Sequence, residues 1–233
     1  MDLDRIKISQ EWKEALKEEF SKPYFETIRS CYIGAKKRGD VIFPAGRLTF
    51  EALNRVAPKD LKVVVLGQDP YHGEICVDGR WIPQAMGLSF SVPKPLPPPP
   101  SLKNIYKELQ ESLGITPPKH GDLSRWCEQG VMLLNAILSV KKGEPGSHAY
   151  FGWEYFTDSI ISYISSHLDG VVFMLWGKYA QKKLSLIDCK RHCAVIAPHP
   201  SPLARGFVGS GAFVSANEAL KRFGKLPIDW GKL

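Results

Sequence analysis

Val63-Val-Val-Leu-Gly-Gln-Asp-Pro-Tyr-His-Gly73 is the stretch that decides how the chain is read. Val63 to Leu66 form an unbroken apolar, mostly β-branched run, the mark of a strand buried on both faces. Gly67 ends the run, and Gln68, Asp69, Pro70, Tyr71 and His72 follow at once. In an open parallel sheet, ligands sit outside the carboxyl ends of the strands. A carboxylate, a phenol and an imidazole in one tight loop at such an end are placed to do chemistry. The plainer reading keeps Asp69 and Pro70 as a turn and Tyr71 as a cap on the core.

Working outward, similar apolar runs recur at Val131–Leu134, Val171–Leu175 and Ala194–Ala197. Asn135 ends the second, Trp176-Gly177 the third, and Pro198-His-Pro-Ser-Pro-Leu203 the fourth. Between the strands lie helical patterns. Leu102, Ile105, Tyr106, Leu109 and Leu113 share one face before Gly114, and Phe156, Ile160, Ile164 and Leu168 share another. Asp122 caps a short helix holding Leu123 and Trp126, Ala180–Leu186 begins another helix, and a last one spans Ser215–Phe223. Ahead of the first strand, Trp12, Leu16 and Phe20 recur at helical spacing, Phe25–Ala35 continues the pattern, and Phe50, Leu53 and Val56 suggest a short helix. Phe43-Pro-Ala45 reads as loop, His72–Gly87 as irregular, and Leu88, Phe90 and Val92 as a short extended piece.

Alternation of strands and helices predicts an α/β fold: a three-layer α/β/α sandwich around a central four-stranded parallel sheet. Without low-complexity linkers or repeats, residues 1–233 are expected to form a single domain. Lys94–Pro100 holds five prolines, so it is locked near polyproline II and cannot be helix. Ser101 follows with the chemistry of a helix cap, and a rigid loop feeding a helix start offers amides to a phosphate. The strand ends therefore bring Asp69 with His72, Asn135, the Gly177 turn and His199 around one crevice.

The formal charge of +7, from 31 Lys and Arg against 24 Asp and Glu, suits a polyanionic partner without requiring one. Five cysteines, an odd number with no CxxC pair, match no zinc or iron–sulfur pattern; Cys189 and Cys193 flank His192 but read as lone thiols of a reducing compartment. The start, Met1-Asp-Leu-Asp-Arg-Ile-Lys7, lacks an apolar signal core. No run reaches the ~18 apolar residues of a membrane helix. The expectation is a cytoplasmic protein with no metal and no membrane partner.

Six blocks in order carry a resemblance: Gln68-Asp-Pro-Tyr-His72, Gly87-Leu-Ser-Phe-Ser-Val92, Pro99-Pro-Ser-Leu102, Leu133-Leu-Asn135, Leu175-Trp-Gly177 with Ala180-Gln-Lys-Lys183, and His199-Pro-Ser-Pro-Leu203. Together with Pro227-Ile-Asp-Trp230, they resemble the family 1 uracil-DNA glycosylases over nearly the whole chain from Trp12. The resemblance implies a monomeric base-excision-repair enzyme that works without a cofactor. It hydrolyses the N-glycosidic bond of uracil in single- and double-stranded DNA, releasing uracil and leaving an abasic site, after flipping the base into a pocket. It implies that Asp69 positions water and stabilises a cationic sugar, and that His199 hydrogen-bonds uracil O2 as charge builds on the leaving base. Asn135 would read O4 and N3–H, Tyr71 would exclude the thymine methyl, Phe90 would stack on the base, and the Gln68 backbone would complete the pocket. His72 would support the water-binding loop or serve structure alone.

On the DNA side the resemblance implies phosphate contacts from Pro100, Ser101, Gly177, Lys178 and Ser201, with Arg205 beside them. Leu203 would enter the minor groove as an apolar wedge. Uracil-mimicking inhibitor proteins are a further partner class it allows. Three departures from the family pattern stand out. The loop from Leu203 to Arg205-Gly206 is about two residues short, Lys178 replaces a serine, and Glu74–Ala85 is long, with Met86 in place of a histidine. Two rivals are a catalytically silent DNA-binding member and a glycosidase of free nucleosides.

Overall fold

The computed structural model describes residues 6–233. The chain runs through α1 (Gln10–Ala15), α2 (Pro23–Lys37), β1 (Ile42–Phe43) and α3 (Glu51–Arg55) into β2 (Val63–Gly67). The strands β3 (Glu74–Val77) and β4 (Arg80–Pro83) come next, followed by α4 (Pro100–Leu113), α5 (Ser124–Cys127), β5 (Val131–Asn135) and β6 (Val140–Lys141). Then come α6 (Trp153–His167), β7 (Val172–Trp176), α7 (Gly177–Gln181), β8 (Cys193–Ala197) and α8 (Ala212–Arg222).

The central sheet has the order β5-β2-β7-β8, with every pairing parallel. Each residue of β2, β5 and β7 is buried, which requires cover on both faces and explains the unbroken apolar runs. At the edge, β8 alternates instead: Val195 is buried while Ile196 is half exposed. Helices supply the cover. The α8 helix packs on β7 and β8 with α4 behind it, and α2 packs on α6. Aromatic side chains cement both layers: Phe20, Phe25 and Phe50 meet Phe156, while Phe213 meets Trp126, Trp176 and Trp230. This is the expected three-layer α/β/α sandwich around a four-stranded parallel sheet.

Register positions the site. Gly67 lies opposite Asn135, and Trp176 opposite Ala197, so the strands end level and their following loops meet. Beyond β5, the Ala136 and Ile137 amides donate to the Gly67 and Gln68 carbonyls at 3.0 and 2.9 Å, tying two of those loops together.

Several local expectations need correction. Glu74–Pro83 is a β-hairpin rather than irregular chain, turning on Asp78-Gly79. Residues 88–92 form no strand: Phe90 has φ 62, because Ser89 is pinned by its amide to the Leu133 carbonyl (3.0 Å) and by its hydroxyl to the Val65 carbonyl (3.2 Å). Part of the stretch read as loop at Phe43 is β1, which pairs antiparallel with β6. Pro99, not Ser101, occupies the N-cap of α4, and Ser101 lies in its first turn. Leu123 stands at the α5 cap position, although the Asp122 carboxylate does accept the Ser124 amide at 2.8 Å. The helix expected from Ala180 begins at Gly177, and the last helix begins at Ala212.

Candidate active site

A cavity of about 210 Å³ opens at the carboxyl ends of the sheet. Its wall includes Gln68, Asp69, Tyr71, His72, Phe90, Ser101, Asn135 and His199, eight residues named from sequence and drawn from five separate segments. A larger hollow of about 540 Å³ lies between α2, Phe50 and Trp153, but it gathers no comparable set of polar groups at strand ends. Among the described residues, no three His, Cys, Asp or Glu side chains cluster as metal ligands.

Asp69 is aimed by a contact invisible in the local sequence: its Oδ2 accepts the Gly146 amide at 2.8 Å. The Gly143 amide also donates to the His72 carbonyl at 2.9 Å, so the Gly143–Gly146 turn clasps the Asp69 loop at two points. Pro145 of that turn lines the cavity. The turn chemistry of Gly143-Glu-Pro-Gly146 was the available signal. Behind it, buried His148 stacks on Phe151 with ring centroids 3.9 Å apart, and its Nδ1 pairs with the Ser139 hydroxyl at 2.8 Å.

Burial pushes the His148 pKa down to about 4 from 6.5. A histidine held neutral by folding costs nothing above its unfolded pKa and opposes folding as pH falls toward its folded pKa. Thermal stability should therefore decline between about pH 6.5 and about pH 4. In His148→Gln this slope should flatten, as read by melting curves across that window. An unchanged slope would assign the acid sensitivity to other groups.

His199 is oriented by its own loop. The Ser201 amide donates to Nδ1 at 3.0 Å, which makes Nδ1 an acceptor and leaves the ring proton on Nε2. Burial lowers the His199 pKa, so the neutral Nε2–H tautomer is the form presented. The adjoining backbone is tight: Gly177 has φ 82, and a Cβ there would lie 2.8 Å from His199 Cβ. Asn104 Nδ2 on α4 donates to the Pro200 carbonyl at 2.9 Å, and the Ser201 hydroxyl accepts the Leu203 amide at 3.2 Å. Sequence reasoning missed Asn104, which lies on the exposed side of the apolar pattern of α4.

Asn135 is buried and lines the cavity. Its side chain lies across Gly67, where an added Cβ would fall 2.3 Å from Oδ1. At the cavity wall this amide offers a donor and an acceptor side by side. Tyr71 also lines the cavity, its hydroxyl donating to the Phe90 carbonyl at 3.3 Å, and burial raises its pKa, keeping the phenol neutral. The Phe90 ring tilts against Trp176 (5.3 Å) and His199 (6.1 Å).

Pro100, Gly177, Lys178, Ser201, Leu203 and Arg205 do not line the cavity; they belong to the segments that carry its walls. Leu203 is 97% exposed, an apolar side chain offered wholly to solvent. Lys178 sits in the first turn of α7. The neighbouring Tyr179 hydroxyl donates to the Glu154 carboxylate at 2.5 Å, and Gln181 Nε2 donates to the Ala197 carbonyl at 3.0 Å.

The carboxyl edge of the parallel sheet thus gathers an amide, a neutral imidazole and a carboxylate around one cavity. Residues 54–221 match the Uracil DNA glycosylase superfamily, and the chain belongs to it. It is 56% identical over 233 residues to the uracil-DNA glycosylase of Helicobacter hepaticus, covering 100% of this chain and 99% of that protein. It is 53% identical to that of Campylobacter lari, over 98% and 96% of the two chains. The crystal structure of mimivirus uracil-DNA glycosylase superposes with a TM-score of 0.90 at 35% identity, covering 96% of this chain and 87% of that one. A second mimivirus structure, the Y322L variant in complex with UGI, superposes at 0.91 with the same identity, over 99% and 91%.

Proposed function

We propose that this chain is a uracil-DNA glycosylase of the family 1 type. It flips uracil out of DNA and hydrolyses its N-glycosidic bond for base excision repair, with residues 1–233 acting as one domain. The observation that carries this reading is the His199 tautomer. With Nδ1 accepting the Ser201 amide, the ring proton is on Nε2, and His199 lines a cavity shared with Asn135 and Asp69.

As the glycosidic bond breaks, negative charge moves onto the base and positive charge onto the sugar. His199 donates to uracil O2, a contact worth ~100–1,000-fold in rate for an oxyanion-type donor. Asp69, held by Gly146, stabilises the sugar cation and takes the proton of the attacking water. His72 supports that loop, its carbonyl receiving the Gly143 amide. Asn135 pairs with O4 and N3–H of uracil, whereas cytosine presents the reverse pattern. Phe90 stacks on the base, and the Gln68 backbone closes the pocket. Pro100, Ser101, Gly177, Lys178 and Ser201 grip phosphates with Arg205 nearby, and Leu203 fills the vacated stack. No cofactor enters these steps.

The fitting partners are single- and double-stranded uracil-containing DNA and uracil-mimicking inhibitor proteins, as the mimivirus protein in complex with UGI illustrates. A monomer in the cytoplasm is the proposed state. Among the described residues, no helix is long and apolar enough to cross a membrane.

The test is release of free base from an end-labelled oligonucleotide carrying one uracil, beside thymine and cytosine controls and free deoxyuridine. Release from the uracil strand alone supports the reading. Cleavage of the nucleoside but not the polymer would replace it with a nucleosidase. Tyr71→Ala should lower the preference for uracil over thymine by about 10–200-fold, the range one methyl group is worth in a pocket. Unchanged discrimination would mean that another group guards C5.

A further inference from the structure

The hairpin β3–β4 has no task in the steps above, yet it grows from the rim of the site. The chain leaves the cavity wall at His72 and returns to it at Ala85. The Gln84 amide closes the base of the hairpin on the Gly73 carbonyl at 3.0 Å. The Lys142 ammonium pairs with the Glu74 carboxylate, fastening the hairpin to the loop that aims Asp69.

Asp78 and Gly79, both at positive φ, form the tight turn that matches strand twist. Four residues per strand give the hairpin a length of about 13 Å. Among the described residues, the two strands pair only with each other.

Trp81 on this hairpin is 66% exposed, across from exposed Cys76. A large ring left in water on a hairpin rooted at a cavity rim marks a contact surface. Charge narrows the kind of contact. Lys142 offsets Glu74, and Arg80 offsets Asp78, so the hairpin is close to neutral and has no phosphate clamp to offer. What it offers is an aromatic face. In a duplex the base faces are already stacked; in a single strand they are free. Continuity with the cavity rim and the +7 charge of the chain favour nucleic acid over a protein occupant.

We propose that Trp81 stacks on an unpaired base flanking the uracil when the substrate is single-stranded. The inference rests on the uracil-excision reading and adds a contact outside its pocket.

The test compares the wild-type chain, Trp81→Ala and Trp81→Phe on a single-stranded uracil oligonucleotide and on the same strand in duplex. Each protein is assayed for kcat/KM and for binding by fluorescence anisotropy, with circular dichroism as the fold control. On the single strand, Trp81→Ala should lose about 10-fold in both readouts, the size of one base–aromatic stack, while Trp81→Phe keeps most of it. Duplex values should hold, and trimming the nucleotides on one side of the uracil should bring the wild-type chain down to the alanine level. No loss, an equal loss on both substrates, or a loss that survives trimming from either side overturns the stack. Weakened single-strand binding with no turnover in any of the proteins keeps the stack and overturns the excision reading instead.

Discussion

Asp69→Asn is expected to slow uracil release by about 1,000-fold while leaving DNA binding and the thermal transition in place. The substitution is nearly isosteric, and the asparagine Oδ1 can still accept the Gly146 amide that aims Asp69 now. Only the charge and the proton acceptor disappear. A unit charge about 4 Å from a developing sugar cation is worth about 4 kcal/mol at an effective dielectric of about 20. At about 1.4 kcal/mol per decade, that is about three orders of magnitude. Single-turnover base release with saturating enzyme reads the chemical step directly. Turnover within a few-fold of wild type would remove Asp69 from its role and send the search to other carboxylates.

Gly67→Ala should cost about 100-fold by a different route, the displacement of a recognition group rather than its removal. The new methyl would lie 2.3 Å from Asn135 Oδ1 and 2.8 Å from Ser89 Cβ. Ser89 cannot yield easily, because its amide and hydroxyl are both bonded to strand carbonyls. The Asn135 amide therefore moves, by about 1 Å or more, and a misplacement of that size costs about 100-fold in rate. Discrimination against cytosine should fall with it, since the hydrogen-bond pattern that reads the base is tilted. The measurement is uracil and cytosine release by Gly67→Ala beside Asn135→Ala. If Gly67→Ala matches wild type on both bases, the close approach of amide and glycine has no part in recognition.

The sheet was legible in the sequence because three of its four strands, β2, β5 and β7, are apolar on both faces, a pattern few other elements share. Asn135 and His199 were legible for a related reason, each being the first polar group after such a run, and Asp69 follows its run by one polar residue, Gln68. The resemblance to known glycosylases then placed Tyr71 and Phe90 as well. What escaped was governed by contacts distant in sequence. Phe90 looks extended by alternation, but the anchoring of Ser89 on β2 and β5 turns the chain there to positive φ. The Gly146 amide that aims Asp69 lies 77 residues away in the chain. The β3–β4 hairpin was overlooked although Asp78-Gly79 is a strong turn signal, because its residues are half-exposed and show no clean alternation.

The α4 helix acts as a common chassis for parts of the site that are far apart in sequence. Its first turn carries Ser101 at the cavity wall, and Asn104 holds the Pro200 carbonyl beside His199. One turn further on, fully buried Glu108 receives the Gly209 and Gly211 amides at 2.5 and 2.8 Å, where the chain enters α8. The proline loop and the His199 loop therefore share one rigid mount, and the spacing between their anchor points is set by a helix rather than by two independent hinges. Any closing movement around a bound strand must come from the loop tips, such as the exposed stretch around Leu203, while the roots of both loops keep their separation.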